Sequence, residues 1–262
     1  APEGGRGRLY LVPSPLDHGC TSQVPLPQVL PQETIAVAAA LPHWISENAR
    51  STRAFLKRVQ AVTPLARPLQ EIAIAELPRA VHKKGDHGAG GATLDARALL
   101  APALQGLDVG LASEAGMPAI ADPGGSLVRA AHRLGIEVRP LVGPVSLLLA
   151  LAASGLNGQG FAFVGYLPQD AEARARRIRE LEQQARRSGQ AQLFIETPYR
   201  NAVLLRALLA ELRGDTWLAL AAGLTLPEQQ IRGVTVRQWQ SDRAALEAWS
   251  GQRLPTVFVL GP

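Results

Sequence analysis

Three short loops carry the residue types from which a ligand cradle is made: VPSPL at 12–16, ASEAGMP at 112–118 and VGPVS at 142–146. Each ends an apolar run of strand length: RLYLVP (8–13), GLDVGLAS (106–113) and IEVRPLVG (136–143). Glycines and other small residues let a bound molecule touch backbone, and prolines fix loop shape. In an open α/β sheet, ligands bind outside the carboxyl ends of the strands, where such loops fall. The segment Gly110 to Ser126 adds two acids, Glu114 and Asp122, and the only methionine, Met117. One such loop is a connection; three of a kind, with a second domain following, point to a cleft. Other chemistries lack their residues. No GxGxxG follows a strand, and neither a GxxxxGK(S/T) loop nor a GxSxG elbow occurs. The five histidines, His18, His43, His82, His87 and His132, show no metal spacing. Cys20, the sole cysteine, excludes an internal disulfide and a multi-cysteine zinc site.

The elements that must position these loops alternate along the chain. TIAVAAA (34–40) reads as a strand, and 48–60 as a helix with Phe55, Leu56 and Val59 at helical spacing. GGSLVRAAHRLG (124–135) reads as a helix stopped by Gly135. This strand–helix–strand rhythm predicts a parallel α/β domain over 1–143. From 144 to 262 we expect a second α/β domain with a mixed sheet. It opens with a buried helix (144–154) and a strand at GFAFVGYLP, and a charged helix follows (170–187). AQLFIET and TWLALAAG read as strands on either side of a helix, and QQIRGVTVRQW (229–239) alternates like a strand. DRAALEAWS reads as a helix and TVFVLGP as a closing strand. ELPRAVHKKGDHGAGGA (76–92) has the composition of a mobile insertion.

With 262 residues, 47% hydrophobic and 19% charged, the chain is globular and long enough for two domains. The net charge of +5 comes almost wholly from arginine, since Lys57, Lys83 and Lys84 are the only lysines. That balance suits an anionic partner such as RNA and equally an Arg- and Ala-rich composition. The apolar stretch 145–153 is too short for a bilayer, and APEGGRG has no signal-peptide core, so a cytoplasmic protein without membrane contact is expected.

Six segments occur in order: LYLVPSPL, SENARST, LASEAGMPAIADPG, LVGPVSLLLALAASGL, FVGYLP and LFIETPYR. Together they resemble the tetrapyrrole methylase superfamily of S-adenosylmethionine-dependent methyltransferases. Within it they are most similar to the branch of ribosomal RNA small-subunit methyltransferase I, which methylates a cytidine 2′-hydroxyl of 16S rRNA. The resemblance implies two α/β domains with S-adenosylmethionine in the cleft between them, a homodimer, and 16S rRNA or the small ribosomal subunit as partner. It places Pro13 beside the cofactor, and Ala112, Ser113, Glu114, Ala115, Gly116 and Met117 in the loop that cradles it. Ser146 falls near the methionine portion, Ile195 and Glu196 at a strand end, and Ala221 and Ala222 near adenine. No metal is implied. A hydroxyl acceptor must lose a proton, so a carboxylate beside it is useful. Glu47 is the candidate, with Arg50 orienting substrate or pairing with phosphate, both in the segment matching the family's Ala-Glu-Asp-Thr-Arg. The alternative is that Glu47 and Arg50 only cap and brace the helix at 48–60, and that Asp122 only starts a helix.

The sequence also departs from the family pattern. Asp17-His18 stands where the family has Gly-Asn, and Asn48-Ala49 where it has Asp-Thr. Glu114 replaces an aspartate, Met117 a threonine, and AGLTL (222–226) replaces Arg-Glu-Leu-Thr-Lys. Two other readings follow: a divergent relative methylating another acceptor such as a tetrapyrrole, and a non-catalytic protein binding S-adenosylmethionine or RNA.

Overall fold

The computed structural model describes residues 5–78 and 95–262. The insertion at 76–92 lies, from residue 79 onward, outside the described residues. The chain divides into two compact units, 1–145 and 146–262.

The first unit is built on strands β1 (Arg8–Leu11), β2 (His43–Ser46), β3 (Ala73–Glu76), β4 (Val109–Ala112) and β5 (Glu137–Pro140). They pair in parallel in the order β3-β2-β4-β1-β5. Successive side chains of a strand point to opposite faces. Tyr10, Trp44 and Ala112 therefore meet helices α1 (Gln32–Ala40) and α2 (Ala49–Gln60) on one face. Leu9, Ile45, Val109 and Leu111 meet helix α3 (Gly125–Arg133) on the other. The order places β1 beside β4, while the chain leaves β1 toward β2 and leaves β4 toward β5. That divergence makes the β1–β4 border the switch point, with a crevice at its carboxyl end.

TIAVAAA is corrected from strand to helix. Alanine is the strongest helix former, and Thr34, Ile35, Ala38 and Ala39 are buried at helical, not alternating, spacing. The four-residue strands β2 and β3 are too short to show a period in sequence.

The second unit holds β6 (Phe161–Tyr166), β7 (Ala191–Glu196), β8 (Trp217–Ala222), β9 (Gln230–Thr235) and β10 (Thr256–Gly261), in the order β6-β7-β10-β8-β9. Only β6 and β7 run parallel, so the sheet is mixed. Helices α4 (Ser146–Ser154), α5 (Ala171–Ser188), α6 (Asn201–Glu211), α7 (Val236–Ser241) and α8 (Arg243–Gly251) complete it. Its core includes stacked Phe194 and Phe258, with Trp239 edge-on to Trp249. Two expectations are corrected here. The strand expected to 239 stops at Thr235, whose capping box with Gln238 starts α7. The helix expected to be buried has one buried face (Leu147, Ala150, Leu151, Ser154), while Leu148 is 50% exposed and Leu149 39%. Among the described residues no helix is long and apolar enough to cross a membrane.

Candidate functional site

Two of the three loops are joined at the switch point. Ser14 and Gly116 form an isolated antiparallel bridge, with the Ser14 N–H donating to Gly116 O at 2.9 Å and the Gly116 N–H donating back at 3.0 Å. The Ser14 hydroxyl donates to Ser113 O at 3.1 Å. The third loop lies against the first: Leu141 N–H donates to Leu11 O, and the Thr34 hydroxyl donates to Val142 O. The small residues are sterically required. A Cβ on Gly143 would lie 2.2 Å from Pro13 Cγ, and Gly116 has a φ of +70°. Ala119 and Ala121 also adopt positive φ, 65° and 62°, conformations that cost L-residues energy and concentrate at ligand-binding turns. Replacing Gly143 by alanine is expected to destabilise the protein by about 1–3 kcal/mol, because overpacking at a fixed proline ring forces backbone movement. Urea denaturation monitored by circular dichroism checks this.

The loops gather carboxylates. Glu47 follows β2, and its Oε2 accepts the Glu114 N–H at 3.1 Å. Asn48 caps α2: its Oδ1 accepts the Arg50 N–H at 2.9 Å and its Nδ2 donates to Glu114 Oε1 at 3.1 Å. The other Glu114 oxygen, Oε2, lies 3.5 Å from His18 Nε2. Burial, then the charge of Glu47, pushes the Asp122 carboxyl up to about 7; a hydrogen bond from Ser113 opposes the shift and Glu114 adds to it. Asp122 is therefore largely neutral below pH 7, chiefly because it is buried and secondarily because Glu47 lies near. Beside this cluster lies a cavity of 380 Å³ lined by His18, Asn48, Arg50, Arg58, Ser113 and Glu114, among others. Its wall is braced by Arg58, which donates to both Asp17 oxygens at 2.9 Å and to Val24 O at 2.7 Å.

In the second unit, the expected residues of β7 and β8 fall in one row. Thr256 of β10 pairs with Glu196 on one side and Ala222 on the other, and Val257 pairs with Ile195 and Ala221. Ala221 and Ala222 are buried, and Glu196 Oε2 lies 3.4 Å from Arg200 Nε. The row continues to Asn201, whose Nδ2 donates to Thr256 Oγ1 while its buried Oδ1 has no partner. Ser146 is the first residue of α4. Thus Pro13, Glu47, Arg50 and 112–117 cluster in the first unit, and Ile195, Glu196, Ala221 and Ala222 in the second. Sequence reasoning missed His18 and Asn48 as contributors, and gave Asp122 only a helix-start role. The signal of His18 and Asn48 lay in being departures, but nothing in sequence tied positions 18, 48 and 114 together.

Two α/β sheets of this order define a fold shared with known methyltransferases. Uroporphyrin-III-C-methyltransferase from Thermus thermophilus matches 98% of this chain and 94% of that one, at TM-score 0.53 and 20% identity. Cobalt precorrin-4 methyltransferase matches over 100% and 97%, at TM-score 0.55 and 12% identity; identities this low show the fold alone. Residues 48–240 match the family model of the Tetrapyrrole (Corrin/Porphyrin) Methylases, and the chain belongs to that family. Among curated relatives, ribosomal RNA small subunit methyltransferase I of Vibrio cholerae is 36% identical over 55% of this chain and 48% of its own length. The protein of that name from Micromonospora olivasterospora is 33% identical over 89% of this chain and 64% of its own. The chain therefore spans about half to two thirds of the length of these relatives.

Proposed function

We propose that the protein is an S-adenosylmethionine-dependent methyltransferase acting on a ribose hydroxyl of small-subunit ribosomal RNA. The observation that carries this reading is the joined pair of loops at the β1–β4 switch point, set against the carboxylates Glu47, Glu114 and Asp122. Backbone at 112–117 with Pro13 fits a ligand held by main-chain and van der Waals contact. The charges of Glu47 and Glu114, which add to the effect of burial on Asp122, also fit a cation. When bound, S-adenosylmethionine supplies an electrophilic methyl group on a sulfonium sulfur. Ser146, Ile195, Glu196, Ala221 and Ala222 complete the proposed cofactor set. The acceptor hydroxyl loses its proton to the acid–base cluster that Glu47 anchors, and Arg50, at the first turn of α2, pairs with a flanking phosphate. The name shared by the curated relatives supports the RNA acceptor, and the exposed Leu148 and Leu149 support self-association as a homodimer. A cytoplasmic location follows from that substrate.

Calorimetric titration with S-adenosylmethionine is expected to show binding, and absence of binding at millimolar ligand overturns the donor assignment. Methyl incorporation into 30S subunits from a strain lacking the usual enzyme tests the acceptor. Glu47→Gln is expected to lower that transfer by about tenfold with donor binding retained. Transfer to a tetrapyrrole and none to 30S subunits overturns the RNA assignment.

A further inference from the structure

Four polar residues from distant parts of the chain meet at one cavity of the first unit. Asp17, His18, Asn48 and Glu114 all line the 380 Å³ cavity, although up to 97 positions separate them in the chain. They form two contacts. Asp17 and Arg58 make a two-pronged ion pair with Asp17 buried, and this fixes the loop that carries His18 onto α2. Asn48, Glu114 and His18 form a chain, Nδ2 to Oε1 at 3.1 Å and Oε2 to Nε2 at 3.5 Å. Both oxygens of Glu114 thus have partners, and its own N–H is held by Glu47. His18 Nε2 faces Glu114 Oε2 at this contact distance, the far nitrogen, Nδ1, has no hydrogen-bond partner among the described residues, and the ring is half-exposed beside the cavity. A base oriented by a carboxylate that is itself oriented by a third group is the arrangement used to activate hydroxyls.

We propose that His18, oriented by Glu114 and Asn48, is the group that takes the proton from the acceptor hydroxyl. This rests on the methyl-transfer reading above and names the atom within the cluster that Glu47 anchors. The acceptor O–H proton moves to His18 Nδ1 as the oxygen lone pair forms the O–CH3 bond. The S–CH3 bond of the sulfonium donor breaks, its electron pair stays on sulfur, and the product is a neutral thioether. The imidazolium then releases its proton to solvent from its exposed edge. Glu47 acts one bond behind, through the Glu114 N–H. Arg50, lining the same cavity, supplies a positive charge that favours an anionic backbone around the reacting hydroxyl, while Arg58 is spent on Asp17.

The test uses the full chain, S-adenosylmethionine and 30S subunits. His18→Ala is expected to lower transfer by about 100-fold or more, with calorimetric affinities for donor and RNA within about twofold of wild type. Added imidazole is expected to restore part of the lost rate, which a structural role would not allow. Glu114→Gln is expected to cost about tenfold and to remain insensitive to imidazole. Independently of turnover, diethyl pyrocarbonate should label His18 faster than His132 by mass spectrometry, and RNA should protect it. Transfer by His18→Ala within about threefold of wild type overturns the inference alone, as does loss of transfer with weakened RNA binding and no imidazole rescue. Labelling of His18 that RNA does not slow also overturns it. A wild type that binds donor and transfers nothing to RNA overturns the RNA reading itself, and the inference with it.

Discussion

Asp17→Ala is expected to lower the unfolding free energy by about 2–3 kcal/mol, the cost of leaving a partly buried charge without its partner. Asp17 is 4% exposed and meets Arg58 through two bonds of 2.9 Å each. Alanine removes both acceptors and leaves the guanidinium, three-quarters or more covered, with only Val24 O at 2.7 Å to accept from it. An exposed pair of the same geometry would contribute little, because water and salt screen it. The asymmetry gives a control: Asp17→Ala combined with Arg58→Met is expected to recover most of the loss, since it removes the stranded charge as well as the pair. Urea denaturation of the three proteins reads the effect. A single variant within about 1 kcal/mol of wild type would show that the pair is not desolvated. The same variant is expected to release the 17–24 loop and abolish the His18 contact with Glu114. Methyl transfer should therefore fall further than in Glu114→Gln.

That pair also shows which parts of the site sequence could not reach. The loops were legible because their chemistry is local: Pro13, Gly116 and Gly143 announce close backbone approach by residue type alone, and the structure brings them into contact. The long elements were legible for a similar reason. The charged helix expected at 170–187 is α5 (Ala171–Ser188), set by its own caps at Asp170 and Gly189. TIAVAAA failed because apolar residues without a clear period fit a strand or a buried helix equally, and only packing decides. Asn48, His18 and Glu114 were read one at a time, as losses from a pattern. Each is ambiguous alone, because a cap, an exposed histidine and a lengthened acid are all common. The meaning lies in contacts made by strand order, which brings the ends of β1, β2 and β4 side by side. Strand order is a long-range property that no local spacing encodes.

Binding of S-adenosylmethionine near neutral pH is expected to release a proton from Asp122. Burial and the Glu47 charge hold its carboxyl up at about 7 in the ligand-free protein. A sulfonium cation beside the cluster favours the ionised form and pulls that value back toward the ordinary carboxylate range. Between the two values the bound protein carries fewer protons, so donor affinity should rise as pH increases from about 5 to about 8. Calorimetry in buffers of low and high ionisation enthalpy measures the released fraction, expected to peak near pH 5.5 at up to about one proton and vanish in Asp122→Asn. The same shift has the opposite sign for folding. The folded value is above the unfolded one, so the folded state holds a proton that the unfolded chain has lost. Stability contributed by neutral Asp122 is thus complete below about pH 4 and lost as pH rises through about 7. The full shift corresponds to about 4 kcal/mol at most, and partial exposure of the group brings the expected loss to roughly 1–3 kcal/mol. Asp122→Asn, which cannot ionise, should be more stable than wild type at pH 8 by that amount and level with it near pH 4. A wild type whose urea midpoint is unchanged across that range, or proton release that persists in Asp122→Asn, would move the shared proton to another carboxylate of the cluster.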